Sequence, residues 1–600
     1  MTKLLERPNL QNYDKTYRTF EWRDAESAID FFDKKRTKLN IAYNAVTRHM
    51  SNPVLKRKVA LHWENDKGEQ QNYTFEDLEL ESNKFANFLK RLKIKKGDRC
   101  FIYLPRIPEL YISFLGILKV GAIAGTLFPA FGPEGIAIRL KRGQVKLLIT
   151  NTELLERVHK IKNLQNSLEY IIVTDSKKII KRKGWQEIPY KEIKKESSQF
   201  DTVKTNKDDA AIMLFTSSTA GTPVAGIVLP HKALIQQAIT ARWVLDLKQQ
   251  DIYWCTADPG WITGIVYGII APLTLGITTI SYEGRFDADK WYGLIEKNKV
   301  SVLYTAPTAI RMLMAAKVSK NKLKKLKHLR HICSVGETLN PTALFWCKGT
   351  LGLPIYDTYW QTETGAIVIA NYRCMPIKPG SMGKPVPGIK AAIIDVDKGK
   401  ELKANETGIL ALAPGWPSMM SRIWKHPKLY KSYFIKDKKS KEWYITKDLA
   451  YKDKNGYYFF VGRADEIIKT AGERVSPWEI ENALMQHPAV METAVVGKPD
   501  PLRGEIIVAF IKLKDPKLKL KEKLKEEIVL FIKKKLAGHA YPREIYFVNE
   551  LPKTRSGKIM RLVLKSLIRK EPISMTAIAN PKCIDEIKNE ILTSGKLPNK

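Results

Sequence analysis

The sequence is short of the residues that several classes of function require. Its 600 residues include six cysteines and nine histidines. Cys100, Cys255, Cys333, Cys347, Cys374 and Cys583 lie far apart, with no CxxC and no histidine at zinc-ligand spacing. A disulfide scaffold and a structural zinc site are excluded, and the thiols read as reduced and structural. The first seven residues are charged and precede no apolar stretch, so no secretory leader is expected and a cytoplasmic location follows. Arginine is scarce beside lysine: of 101 basic residues 26 are Arg and 75 are Lys. Base-reading proteins lean on the bidentate guanidinium, so this balance argues for a diffuse positive field and against a specific nucleic-acid partner. Residues 261–280 are uncharged over a membrane-spanning length. Their threonines, glycines and proline, and the turn Asp258-Pro259-Gly260 before them, mark a buried α/β segment and no membrane span. Internal repeats are absent.

What is present is a globular composition, 44% hydrophobic and 10% aromatic, with a formal charge of +38. Such a chain buries a large core and is not disordered. The charge makes some polyanion partner an expectation: nucleotide, coenzyme, RNA or membrane surface. Short apolar runs alternate with helical patterns: strands at 100–104, 146–150 and 301–305, helices at 108–120 and 307–316. This alternation predicts an α/β fold, a large N-terminal domain of parallel and mixed sheets covered by helices. After about residue 440 the pattern changes. Residues 456–462 and 466–469 read as paired strands around a turn, 477–486 as a helix, 492–496 and 506–513 as strands. An amphipathic helix follows at 518–536, with Leu518, Leu520, Leu524, Ile528, Leu530 and Ile532 mostly on one side; its lysines read as a solvated face rather than a nucleic-acid arm. This is a small, mobile α+β domain. The expected division is 1–463, 464–571 and a tail, 572–600, of unassigned role.

Five segments carry residues that packing alone does not explain. Thr216-Ser-Ser-Thr-Ala-Gly-Thr-Pro223 follows an apolar run and could turn N–H groups and hydroxyls toward a phosphate, although such clusters are often plain loops. Asp357-Thr-Tyr-Trp-Gln-Thr-Glu-Thr-Gly365 combines hydroxyls, carboxylates and large rings in the manner of a nucleotide clamp. Thr446-Lys447-Asp448 sets a carboxylate by a turn. Gly462-Arg463-Ala-Asp465, with Gly472-Glu-Arg474 downstream, brackets the domain boundary. Leu551-Pro-Lys-Thr-Arg-Ser-Gly-Lys558-Ile-Met-Arg561 is a glycine-hinged basic loop.

In order and spacing these five resemble the signature motifs of the adenylate-forming superfamily of acyl-CoA synthetases, adenylation domains and luciferases, and within it the AMP-forming acetyl-CoA synthetases. The likeness runs from Asn9-Leu-Gln-Asn-Tyr13 to Lys558. Residues 251–264 and Lys378-Pro-Gly-Ser-Met-Gly-Lys-Pro385 resemble the shorter, bacillus-type subgroup. The resemblance implies acetate, ATP and CoA as substrates with Mg2+, and two half-reactions at one site. Position by position it implies Glu363 as the magnesium-binding glutamate. Thr216, Ser217, Ser218, Thr219 and Gly221 are implied around phosphate, and Gly336, Glu337 and Thr338 at adenine, where the usual third residue is Pro. Asp357, Thr358, Tyr359, Trp360, Gln361 and Thr362 line the ATP site, and Asp448 and Arg463 hold ribose. Asp465 matches the hinge and Lys558 the adenylation lysine; Thr263, Gly472 and Arg474 match the CoA side, with Arg474 also near AMP. Ile262, Thr263, Val335 and Trp360 map to the acyl pocket, where each methylene that does not fit costs about 1–3 kcal/mol, so acetate is preferred and butyrate poor. Met485, His487 and Val490 match a structural cation loop. The resemblance also implies a lysine acyltransferase and deacylase acting on Lys558, since acylation removes a charge.

The phosphate loop departs from the pattern. Ser218 and Ala225 stand at glycine positions, Ala220 at a threonine and Val224 at a lysine, while Lys447 replaces the glycine of Thr-Gly-Asp. Lys232 could substitute only by reaching back. The retained Glu363, Asp448, Arg463, Asp465 and Lys558 favour a working enzyme. The altered loop keeps open a catalytically reduced nucleotide- or CoA-binding paralogue, and a propionyl-preferring enzyme and a charge-driven RNA or membrane-surface protein are further alternatives.

Overall fold

The computed structural model describes residues 6–161, 167–217, 223–316, 323, 326–396, 398–438, 440–464, 466–470, 473–520, 522–536, 540–553, 559–573 and 578–594. Among them the chain forms four sheets. The first has nine strands, and its centre, from Ile355–Tyr359 through His331–Ser334, Val302–Thr305, Ile252–Cys255 and Thr278–Glu283 to Val59–Asn65, is parallel throughout. The second, also of nine strands, is parallel from Ala210–Ser217 through Ile123–Thr126, Arg99–Tyr103 and Leu147–Thr150 to Tyr170–Val173 and Gln186–Pro189. These strands are almost wholly buried, as a sheet covered on both faces requires. The uncharged stretch at 261–280 is broken into the short helices Ile262–Ile265 and Ala271–Thr274, a π-helical turn between them, and the strand Thr278–Glu283. No helix among the described residues is long and apolar enough to cross a membrane.

The helix Phe75–Arg91 starts at a capping box in which Thr74 and Asp77 exchange hydrogen bonds, and it packs on Pro108–Lys119. Inside this helix pair Lys119 is fully buried, with its ammonium 2.7 Å from Glu79.

The third sheet is antiparallel and built on the long strand Glu442–Lys452. Here the expected pairing of 456–462 with 466–469 is corrected. Tyr458–Arg463 pairs with Glu442–Lys452, while Ile468–Thr470 joins the fourth sheet, against Glu473–Val475 and Gly504–Leu513. Locality decides it: the Asp453 N–H bonds the Tyr457 carbonyl across a short turn, and Gly456 supplies its φ of +80°. The helix expected at 518–536 begins only at Glu522, after a 3-10 turn at Pro516–Leu520. Leu524, Ile528 and Ile532 are buried, but Leu530 is 56% exposed, lying about 200° around the helix from Ile528. One face of the fourth sheet is covered by Pro477–Leu484 and Glu522–Lys535. The other packs against Arg561–Arg569 and Lys582–Ser594, so Cys583, Ile584 and Ile587 share a core with Val496, Phe510 and Tyr546. All six cysteines are free thiols.

Candidate active site

A crevice opens where the parallel strands of the first sheet end, the place where open α/β sheets present ligand-binding loops. His331–Ser334 runs into Gly336, Glu337 and Thr338, and Ile355–Tyr359 into Trp360 and Gln361. The two strands are in parallel register with Ser334 beside Asp357. The Ser334 hydroxyl accordingly donates to the Asp357 carboxylate at 2.6 Å, and burial pushes the Asp357 carboxyl up to about 7. Glu337 accepts from Thr308 at 2.6 Å and from Arg311 at 2.8 Å, both on the helix Pro307–Ala315. That pairing fixes the loop which has Thr338 where proline was expected.

The third sheet delivers the other wall. Asp448 and Arg463 are direct partners across the antiparallel pair, with Arg463 donating to Asp448 Oδ1 at 3.1 Å. Asp448 Oδ2 accepts from Tyr359 at 2.5 Å and from Gln361 at 2.8 Å, so the end of one sheet is tied to the next. Burial pushes the Asp448 carboxyl up, opposed by Arg463, Tyr359 and Gln361. With three donors shared between its oxygens, this carboxylate keeps acceptor capacity for a further hydroxyl. Gly336–Thr338, Asp357–Gln361, Asp448 and Arg463 all line one cavity of about 330 Å³.

Glu363 lies just beyond. Burial pushes its carboxyl up, and it accepts a long hydrogen bond, 3.3 Å, from Tyr433. A desolvated carboxylate so lightly satisfied fits a divalent cation whose other ligands are phosphate oxygens and water. Among the described residues no three His, Cys, Asp or Glu form a metal cage. Gly365 holds this turn: its φ is +72°, and a Cβ there would stand 1.9 Å from the Ser418 carbonyl oxygen.

Profiles of two families match the chain: "AMP-binding enzyme" over residues 49–424 and "AMP-binding enzyme C-terminal domain" over residues 479–558. The chain belongs to the AMP-binding enzyme family. Among curated relatives, the acetyl-coenzyme A synthetase of Bacillus subtilis is 49% identical over 93% of this chain and 95% of its own length. That of Methanothrix thermoacetophila is 39% identical over 92% and 86%. A crystal structure of a Brucella canis acyl-CoA synthetase superposes with a TM-score of 0.70 at 34% identity, covering 94% of this chain and 99% of that one. An anthranilate CoA ligase in complex with anthranoyl-AMP gives 0.79 at 28% identity, covering 89% and 98%.

In this AMP-binding enzyme Trp360 lines the cavity, its indole N–H on Tyr304 at 3.3 Å and its ring edge-on to Tyr267 with centroids 5.2 Å apart. Ile262, Thr263 and Val335 stand outside the cavity lining; Ile262 opens the helix Ile262–Ile265, the Thr263 carbonyl lies beside the Cys255 thiol, and Val335 is buried. Thr362 is half-buried beside Glu363, and Thr216 lies near the end of the strand Ala210–Ser217. Ser218, Thr219, Gly221, Asp465, Gly472 and Lys558 lie outside the described residues, and for Ser217 and Arg474 only the backbone is described. Lys232 does not reach back: it pairs with Asp208 at 2.7 Å, at the end of the strand pair where Ala210 faces Pro230. Met485 lines the cavity; the His487 imidazole lies 3.4 Å from Glu527, and the His487 carbonyl accepts the Val490 N–H.

Sequence reasoning missed the second ring of the site. Tyr433 meets Glu363, Tyr444 donates to Gln361 at 2.8 Å, and their rings stack with centroids 5.7 Å apart. Arg561 forks onto Glu481 at 2.8 and 2.5 Å, and Asn340 bonds Asn482 at 3.2 Å, closing the cavity between the first and fourth sheets. Arg561 ends the fifth segment but was given no role there, and none of the others sits in a local pattern that distinguishes it from a surface residue.

Proposed function

We propose that the chain is an AMP-forming acetate–CoA ligase that joins acetate, ATP and CoA into acetyl-CoA, AMP and pyrophosphate. The observation that carries this reading is the convergence of Gly336–Thr338, Asp357–Gln361, Asp448 and Arg463 on one cavity of about 330 Å³. The curated relatives named acetyl-coenzyme A synthetase, at 49% and 39% identity, support the substrate class.

In the first half-reaction an acetate oxygen bonds the ATP α-phosphorus, the bond from that phosphorus to the β-bridging oxygen breaks, and pyrophosphate leaves with the electron pair. Asp448 accepts the ribose hydroxyls, and Arg463 holds Asp448 in place. Magnesium entering with ATP would be held by Glu363 and phosphate oxygens, and would neutralise charge there. Lys558, on its glycine-hinged loop, supplies a further cation at the phosphates. In the second half-reaction the CoA sulfur bonds the acetyl carbon, the carbon–oxygen bond to AMP breaks, and the thiol proton passes to solvent. Residues 464–571 turn about Asp465 between the steps, withdrawing Lys558 and bringing Gly472 and Arg474 toward the CoA arm. Trp360 occupies the space a longer chain would need, and Ile262, Thr263 and Val335, outside the cavity lining, are the further acyl-pocket residues that the family resemblance implies. Met485, His487 and Val490 form a carbonyl cation loop outside catalysis. The enzyme is cytoplasmic, and acylation of Lys558 switches it off.

Product analysis tests the reading. Acetyl-CoA and AMP should form in equal amounts, dependent on acetate, ATP and CoA together; ADP in place of AMP, or no thioester, would refute it.

A further inference from the structure

Between Thr216 and Pro230 the chain carries no lysine or arginine, and Lys232 is engaged with Asp208. A cation stands instead on the third sheet, next to Asp448 in the chain. Lys447 precedes Asp448 on the strand Glu442–Lys452, and its backbone adopts φ +61°, a left-handed conformation that side-chain-bearing residues rarely keep without a reason. The turn is held by the Ala464 N–H, which donates to the Lys447 carbonyl at 3.0 Å. The side chain is half-buried, and its ammonium rests 4.1 Å from the centroid of the Tyr433 ring. Tyr433 is the residue whose hydroxyl donates to Glu363 at 3.3 Å. One aromatic ring therefore carries the ammonium on its face and Glu363 on its hydroxyl, with Asp448 the next residue along the strand. A glycine would relieve the backbone and place no charge there.

We propose that Lys447 is a phosphate-binding residue of this chain, whose ammonium, held on the face of the Tyr433 ring that also meets Glu363 through its hydroxyl, contacts the polyphosphate of ATP and the departing pyrophosphate. It rests on the nucleotide reading above. The Tyr433 ring under the ammonium is the one whose hydroxyl meets Glu363, the carboxylate read above as the magnesium holder, so the ammonium should act on the β- and γ-phosphates and not on the nucleoside. Lys447 thus supplies from the third sheet a charge that the 216–230 hairpin lacks.

The experiment compares binding of magnesium ATP and of AMP by calorimetry to the full chain, Lys447→Gly and Lys447→Arg. Lys447→Gly removes the cation and the backbone strain together, so its melting temperature should not fall. We expect it to weaken ATP binding by about tenfold or more, the size of one lost charge-assisted contact, with AMP binding within about twofold and Lys447→Arg restoring most of the difference. Adding Val224→Lys to Lys447→Gly should recover part of the ATP affinity. Equal loss for ATP and AMP, or no loss with the fold intact, overturns the proposal. The ATP-to-AMP ratio is read without turnover, so a chain that binds both nucleotides but forms no acetyl-adenylate refutes the catalytic reading and leaves this test standing. A chain that binds neither nucleotide overturns both.

Discussion

Trp360 is the cavity-lining residue proposed to limit the length of the acid. Its ring is braced by Tyr267 and its N–H by Tyr304, contacts that swinging aside for a longer acid would break. Trp360→Gly should move preference from acetate toward four- and five-carbon acids, with acetate kcat/KM falling at least tenfold, as removing several methylenes' worth of contact implies at about 1–3 kcal/mol each. Steady-state rates on a series of acids check it, and an unchanged acetate preference would contradict it. Asp357 makes a different claim. Its carboxyl is raised by burial to about 7, so folding takes up a proton between roughly pH 4 and 7, and stability falls as pH rises through that window. Asp357→Asn should therefore raise the unfolding free energy read from urea denaturation at pH 8 by on the order of a few kcal/mol, and by clearly less at pH 5. A larger gain at pH 5 would reverse the sign and refute the cause.

The helix pair Phe75–Arg91 and Pro108–Lys119 carries the clearest energetic prediction at the level of elements. Lys119 is desolvated enough to pull its ammonium down to about 8, yet Glu79 holds it in place. Lys119→Ala leaves Glu79 buried without that partner and should cost about 3–5 kcal/mol in urea unfolding. Lys119→Met with Glu79→Leu should cost less than the sum of the single changes, and strict additivity would show that the pair is not coupled. Elements were legible where one apolar period ran uninterrupted. The strands Leu147–Thr150 and Val302–Thr305 and the helix Pro108–Lys119 fall within a residue of their expected bounds. Strand partnership was not, because Tyr458–Arg463 and Ile468–Thr470 read alike along the chain and are separated only by which sheet each enters. The role of 578–594 was equally hidden, since its apolar residues gain meaning only against Val496, Phe510 and Tyr546.

Over the whole molecule the site was legible as five segments and not as a geometry. Asp448 and Arg463, fifteen residues apart, could be named a pair from the motif order, and the strand register is why they meet. Tyr433, Tyr444 and Glu481 were invisible because they act through tertiary contacts alone, and Arg561, named only as the end of a segment, gains its role from Glu481. The +38 charge is now narrowed: among the described residues the cations that line the cavity are Arg311, Arg463 and Arg561, and most of the rest lies away from it, where it can steer anionic substrates. The central claim is that this cavity makes acetyl-adenylate despite a phosphate loop without a lysine. Exchange of labelled pyrophosphate into ATP in the absence of CoA measures that step alone. The exchange should require both acetate and magnesium; a chain that binds ATP yet shows no acetate-dependent exchange would contradict the account.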